Sequence, residues 1–156
     1  MAPRCMLVTL LGAPNVGKST LLNRMVGAKV SIVTPKVQTT RSRIAGIGLF
    51  GETQLVFFDT PGIFKPKKRM QRAMVEAAWS CAHQSDKVVL IIDSCAGLTS
   101  ETCQVIGKLR KAHFSVAAVL NKIDLIQRPK LLQLISHLDD EQLFQDIFMI
   151  SALNGD

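Results

Sequence analysis

The chain has 156 residues, 47% of them hydrophobic and 20% charged, with a formal net charge of +7. That length suits one domain with a core of its own, and the composition excludes a disordered or collagen-like chain. No apolar stretch approaches the ~18 residues of a membrane span, and the basic excess points to an anionic partner.

The first apolar run, Met6–Leu11, predicts a strand. Gly12-Ala13-Pro14-Asn15-Val16-Gly17-Lys18-Ser19 follows it and fits the phosphate-loop pattern G-x-x-x-x-G-K-[S/T]. A helix is predicted over Ser19–Val26, so Thr20 falls in its first turn. Gly12 and Gly17 let the backbone curl, so that successive N–H groups converge on an anion. The helix adds the positive end of its dipole. Lys18 reaches the outer phosphates and the Ser19 hydroxyl can ligate Mg²⁺. An accidental Gly-rich turn would lack the strand before and the helix after. Cys5–Leu11 behind Arg4 imitates a signal peptide, but it has no small-x-small cleavage site and runs straight into the loop.

A polar stretch with Pro35 and Lys36 carries Gln38-Thr39-Thr40-Arg41. One threonine there can be a second protein ligand to Mg²⁺, and Thr40 is preferred over Thr39. The bland reading is a Thr-rich loop or strand start. Ile44–Phe50 and Leu55–Phe58 read as strands. Phe50-Gly51-Glu52-Thr53 suggests a tight hairpin between them, which makes one edge strand antiparallel. Asp59-Thr60-Pro61-Gly62 ends the second strand. An Asp in that place can hold Mg²⁺ directly or through water, and Gly62 can swing its N–H toward a γ-phosphate. An ordinary D-x-P-G turn is the alternative. Lys65, Lys67, Lys68, Arg69 and Arg72 then concentrate positive charge, and Arg41 and Arg43 add to it. These cations form either a solvated, mobile switch loop or a surface that contacts RNA or an RNA-binding domain. A helix is predicted over Arg69–Ala82, where Trp79 recurs with Val75, Ala78 and Ala82 at core spacing.

Val88–Asp93 reads as a strand, Ser100–Lys111 as a helix and Val116–Leu120 as a buried strand. Asn121-Lys122-Ile123-Asp124 ends that strand. The Asp124 carboxylate only accepts hydrogen bonds and can take two from the N1–H and exocyclic amine of guanine. Adenine offers neither, leaving a desolvated carboxylate unpaired at a cost of about 1–3 kcal/mol. Asn121 can tie loops together, and the Lys122 stem can lie along the base. A helix over Pro129–Leu138 and a strand over Ile147–Ile150 follow. The Ser151-Ala152-Leu153 turn can present a backbone N–H to the guanine carbonyl. Strands alternating with helices predict a doubly wound α/β fold: a mostly parallel six-stranded sheet flanked by helices. Cys5, Cys81, Cys95 and Cys103 form no C-x-x-C pair and read as reduced core thiols. His83, His113 and His137 show no metal-ligand spacing, and no metal cluster is expected.

The motif order resembles the translation-factor-related GTPases, a Ras-like branch of the P-loop NTPases. Pro14 to Asn23, Val30 to Arg41, and Asp59 to Ile63 followed by Lys65-Pro66-Lys67 are similar to the Era family in particular. The resemblance covers nearly the whole chain. It implies a bacterial, cytoplasmic GTPase that binds GTP and GDP with Mg²⁺ and assists assembly of the small ribosomal subunit. It also implies binding of small-subunit rRNA through a C-terminal K-homology domain, and peripheral inner-membrane association of the longer protein. Residues 1–156 are expected to be a single GTPase domain, cut near its last helix and without that RNA-binding domain. The phosphate-binding segment then runs from Gly12 to Thr20, with Asp59, Gly62, Asn121, Lys122, Asp124 and Ser151 to Leu153 completing the nucleotide site. Lys18, Thr40 and Gly62 form the catalytic set; Ser19, Thr40 and Asp59 hold Mg²⁺. Ile63 occupies the place of the water-orienting glutamine of Ras-like enzymes, so intrinsic turnover is expected to be slow. In several Era-like enzymes an asparagine matching Asn15 helps hold K⁺. The alternative function is a nucleotide-dependent adaptor whose hydrolysis is negligible until a partner or RNA activates it. An ATPase or small-molecule kinase would share the phosphate loop but leave Asp124 unexplained.

Overall fold

Adjacent apolar residues that bury in opposite directions organise the molecule. In a computed structural model that describes residues 4–26, 44–58, 60, 62–63 and 66–156, Leu10 and Leu11 enter two different cores. So do Ile91 and Ile92, and Val119 and Leu120. Successive side chains of a strand point to opposite faces, so these continuous apolar runs mark strands covered on both sides.

The strands are β1 (Arg4–Leu11), β2 (Ile44–Phe50), β3 (Thr53–Phe58), β4 (Lys87–Asp93), β5 (Val116–Asn121) and β6 (Phe144–Met149). They form one six-stranded sheet in the order β2-β3-β1-β4-β5-β6. All neighbours are parallel except β2, which pairs antiparallel with β3 through the two-residue turn Gly51-Glu52. The helices are α1 (Lys18–Val26), α2 (Arg69–Gln84), α3 (Ser100–Lys111) and α4 (Arg128–Asp140). Leu22 of α1 packs with Val8, Leu10, Phe57, Ile91 and Val119 on one face. On the other, Ala78 and Ala82 of α2, Leu109 of α3 and Leu138 of α4 pack on Leu11, Leu90, Ala118 and Leu120. The fold is therefore the doubly wound α/β sheet that the alternation predicts. Each fully buried leucine contributes about 1.5–3 kcal/mol to it.

Local chemistry fixes the helix starts. The Thr99 hydroxyl accepts the Thr102 N–H at 3.2 Å at the head of α3. Gln71 Oε1 accepts the Lys67 and Lys68 N–H groups before α2, at 2.8 and 3.3 Å. Pro129 sits in the first turn of α4, where its missing N–H costs nothing.

Three expectations shift. The last strand starts at Phe144 rather than Ile147 and ends before Ile150. It is an edge strand with exposed Gln145 and Asp146 and a register irregularity, so apolar runs alone could not locate it. Core burial holds for only one of the cysteines: Cys81 is buried, whereas Cys5, Cys95 and Cys103 are free and exposed. Cys103 lies two residues before buried Val105 on α3, roughly 200° around the helix and so on its outer side. Trp79 is only partly buried against the core, and Lys108 Nζ lies 5.6 Å from its ring centre.

Among the described residues no helix is long and apolar enough to cross a membrane.

Candidate functional site

The carboxyl ends of β1, β4 and β5 open on the same edge of the sheet, and the loops that leave them meet there. Open α/β sheets bind ligands at such an edge, where the chain winds to opposite faces.

From β1, the loop 12–17 turns sharply into α1. Gly17 has φ 103° and Asn15 φ 64°, both left-handed. A Cβ on Gly17 would stand 2.2 Å from Asn121 Nδ2, and one on Gly12 2.6 Å from the Ile91 carbonyl oxygen. Both approaches are closer than any side chain permits, so glycine is required at each. Val16 is buried in the α1-side core and pins the loop, while Ala13 packs beside it. Lys18 opens α1 and folds back, its Nζ donating to the carbonyls of Gly12 at 3.1 Å and Ala13 at 2.9 Å. Burial lowers its pKa from 10.5 to about 8. Ser19 and Thr20 are exposed in the same first turn.

From β5, Asn121 enters the site almost fully buried. Its Nδ2 donates to the Val16 carbonyl at 2.8 Å and its Oδ1 accepts the Ala152 N–H at 2.9 Å. Lys122 adopts a left-handed φ of 65°. Its Nζ donates to the Asn15 carbonyl at 2.9 Å and to Asp93 Oδ2 at 2.7 Å. The Ser151 hydroxyl donates to Asp124 Oδ1 at 2.7 Å. That bond leaves the acceptor-only carboxylate fixed in direction at the site. Within the Ser151-Ala152-Leu153 turn, the Ala152 N–H is engaged by Asn121.

Asn15, Gly17, Lys18, Ser19, Thr20, Asn121, Lys122, Asp124, Leu125, Ser151 and Leu153 line one cleft of about 480 Å³. That volume lies within the range of small-molecule sites. One end is cationic and rich in backbone amides; the other carries the Asp124 carboxylate. The arrangement suits a ligand with phosphates at one end and paired N–H donors at the other.

Gly62 and Ile63 close on the phosphate loop from outside. The Ile63 N–H donates to the Gly12 carbonyl at 2.7 Å, and a Cβ on Gly62 would meet Pro14 N at 2.9 Å. The Thr60 hydroxyl donates to the Leu10 carbonyl. The Ile63 side chain is buried in the α2–α3 core, so besides lacking a polar atom it faces away from the cleft. Thr40 and Asp59 lie outside the described residues. Of the proposed Mg²⁺ ligands the described residues include Ser19 alone, which lines the cleft beside Lys18.

Leu125, which lines the cleft, and Asp93 and Arg24, which brace it from outside, escape sequence reading. Asp93 ends β4 opposite Asn121, and the strand-terminal position of an acid was the available signal. Partial burial pushes its carboxyl upward. The Lys122 ammonium and the Cys95 and Ala96 N–H groups outweigh this and leave it below the usual carboxylate range. Arg24, in the last turn of α1, contacts the Ser151–Leu153 turn and carried no signal at all.

A family model described as 50S ribosome-binding GTPase matches residues 7–122. The GTPase Era of Bradyrhizobium sp. strain ORS 278 is 50% identical over 155 residues, 99% of this chain and 50% of that protein. The GTPase Era of Rhizobium meliloti is 51% identical over 148 residues, 95% of this chain and 47% of that protein. A crystal structure of Era in complex with MgGDPNP and nucleotides 1506–1542 of 16S ribosomal RNA superposes with a TM-score of 0.84. It is 37% identical and the match covers 97% of this chain and 52% of that one. The chain thus spans about half the length of the curated relatives it matches.

Proposed function

The chain belongs to the Era family of GTPases, and on that premise we propose that its cleft binds GTP and GDP and hydrolyses the β–γ phosphate bond. The observation that carries the proposal is the direct tie between the two ends of the site. Asn121 bonds the phosphate loop through Val16, while Asp124, three residues on, faces the same cleft.

Lys18 and the loop N–H groups between Gly12 and Thr20, among which Pro14 has none, hold the β and γ phosphates. Phosphate oxygens replace the two loop carbonyls as partners of Lys18 Nζ and restore its full positive charge. Asp124 takes the guanine N1–H and amine, Ser151 holds it in place, and the Lys122 stem covers the base. Leu153 supplies the remaining edge of the base site. Ser19, Thr40 and Asp59 would hold Mg²⁺, which would supply positive charge against the phosphate oxygens. Gly62, packed on Pro14, follows the γ-phosphate and serves with Lys18 and Thr40 as the catalytic set. Catalysis of this kind is positioning and charge stabilisation, with little covalent chemistry. Because Ile63 cannot orient water, intrinsic turnover is slow, on the order of 10⁻⁴ to 10⁻² s⁻¹. Asn15, exposed at the mouth of the cleft, would help to hold K⁺, which would supply positive charge where the missing glutamine gives no help.

At the level of the whole protein, the named relatives support a role in small-subunit assembly through 16S rRNA. Specific rRNA recognition then belongs to a K-homology domain beyond residue 156, and the longer protein can associate peripherally with the inner membrane. Single-turnover hydrolysis of GTP by the chain tests the reading. Slow phosphate release, competed by GDP and not by ATP, is expected. Binding of GTP without any release favours the adaptor reading; equal competition by ATP overturns the base site.

A further inference from the structure

Arg24 stands at the end of the same helix that begins with Lys18. Its Nε donates to the Ala152 carbonyl at 3.1 Å and its Nη2 to the Leu153 carbonyl at 2.6 Å. Those partners lie 128 and 129 residues away in the chain. A Cβ on Gly155 would stand 2.7 Å from Nη1, so the guanidinium is pressed against that backbone as well. One planar fork therefore grips two successive carbonyls of a single turn through two separate nitrogens held in a fixed plane. At 1.5 Å per residue, α1 carries the fork about 9 Å from Lys18.

We propose that Arg24 is a positioning residue for base recognition: it fixes the Ser151–Leu153 turn to the phosphate-binding helix and so sets where that turn meets guanine. The proposal rests on the assignment of Asp124 and this turn to the base. Asn121 ties the turn's Ala152 N–H to the phosphate loop, and Arg24 ties its carbonyls to α1. The turn is thereby held from both of its hydrogen-bonding sides. Backbone carbonyls so held cannot rotate, and the Ser151 hydroxyl keeps its direction toward Asp124. Arg24 itself does not line the cleft, so it acts on the nucleotide only through the turn.

The test uses the full chain with Arg24→Met and Arg24→Lys. Release of a fluorescent GDP and competition by ADP are measured for each, beside Asp124→Asn in the same assay. Arg24→Met should release GDP about tenfold faster, the equivalent of one charge-assisted contact. Its ADP affinity, carried by the phosphates, should stay at the parental value, so the preference for GDP falls by the same factor. Arg24→Lys keeps the charge and one donor and should fall between the two, which also secures the test if Arg24→Met does not fold. Unchanged GDP release in either variant that folds overturns the proposal. Equal loosening of GDP and ADP also overturns it, because a purely structural role loosens both. If Asp124→Asn keeps the parental preference for GDP, the base-site assignment fails first. If Asp124→Asn loses that preference and the Arg24 variants do not, only the role of Arg24 falls.

Discussion

Asn121 and Val16 are 105 residues apart in the chain, yet the Asn121 carboxamide donates to the Val16 carbonyl at 2.8 Å inside the protein. The other side of the same carboxamide accepts from Ala152. One side chain thus satisfies two main-chain groups from two different loops.

Asn121→Ala should therefore cost stability as well as nucleotide affinity. It leaves a buried carbonyl and a buried N–H unpaired, each worth about 1–3 kcal/mol, so a loss of about 2–6 kcal/mol is expected. Urea unfolding without nucleotide reads this directly. A midpoint at the parental value would mean that the loops hold together by other means.

Base choice rests on Asp124. Asp124→Asn should weaken GDP binding by two orders of magnitude or more, since an amide donor meets the guanine amine; two unpaired polar contacts at about 1.5–3 kcal/mol each suffice. The same variant should prefer xanthosine diphosphate, whose C2 carbonyl accepts where guanine donates. Ser151→Ala should weaken GDP binding more mildly, about threefold to tenfold, because it frees the carboxylate without removing it. Competition titrations give all three values, and parental GDP affinity in Asp124→Asn would refute the assignment.

Protonation of Lys18 gives the binding a pH signature. Its pKa in the fold, about 8, lies below the ordinary 10.5, so between these values the unfolded chain holds more protons than the folded one. The stability of the chain alone should consequently rise with pH across that window. Phosphates favour the charged ammonium and reverse the shift. Near pH 8, about half a proton should be taken up per GDP bound, and affinity should decline as pH rises further. Calorimetry in two buffers of different ionisation enthalpy measures the uptake. Lys18→Met should abolish it and most of the affinity; its persistence there would assign the proton elsewhere.

Turnover should respond to the monovalent cation. Asn15 sits in the phosphate loop at a left-handed φ of 64° and lines the mouth of the cleft. Hydrolysis in KCl should exceed that in NaCl at equal ionic strength, because the smaller ion fits an oxygen cage built for K⁺ poorly. Asn15→Ala should remove the difference. Equal parental rates in the two salts would end the potassium reading, and stimulation surviving in Asn15→Ala would move the ion to other ligands.

Local patterns in the chain were enough for the phosphate loop, the hairpin at Gly51-Glu52, the buried strand before Asn121 and the helix over Ser100–Lys111, because each follows from neighbouring residues. Glycine spacing, two-sided apolar runs and caps act over a few positions, and a sequence displays them openly. Distant partners do not appear there. Nothing near Arg24 announces the turn at Ala152 and Leu153, and nothing near Asp93 announces Lys122. The edge strand Phe144–Met149 shows only three apolar residues in direct succession, so its neighbour β5 and not its own pattern gives it its limits. The burial of Ile63 and the exposure of Cys95 and Cys103 likewise depend on which side of an element meets another. The reason is physical: motif chemistry is set by residue type at short spacing, whereas the orientation of a side chain toward a partner is set by how helices and strands pack.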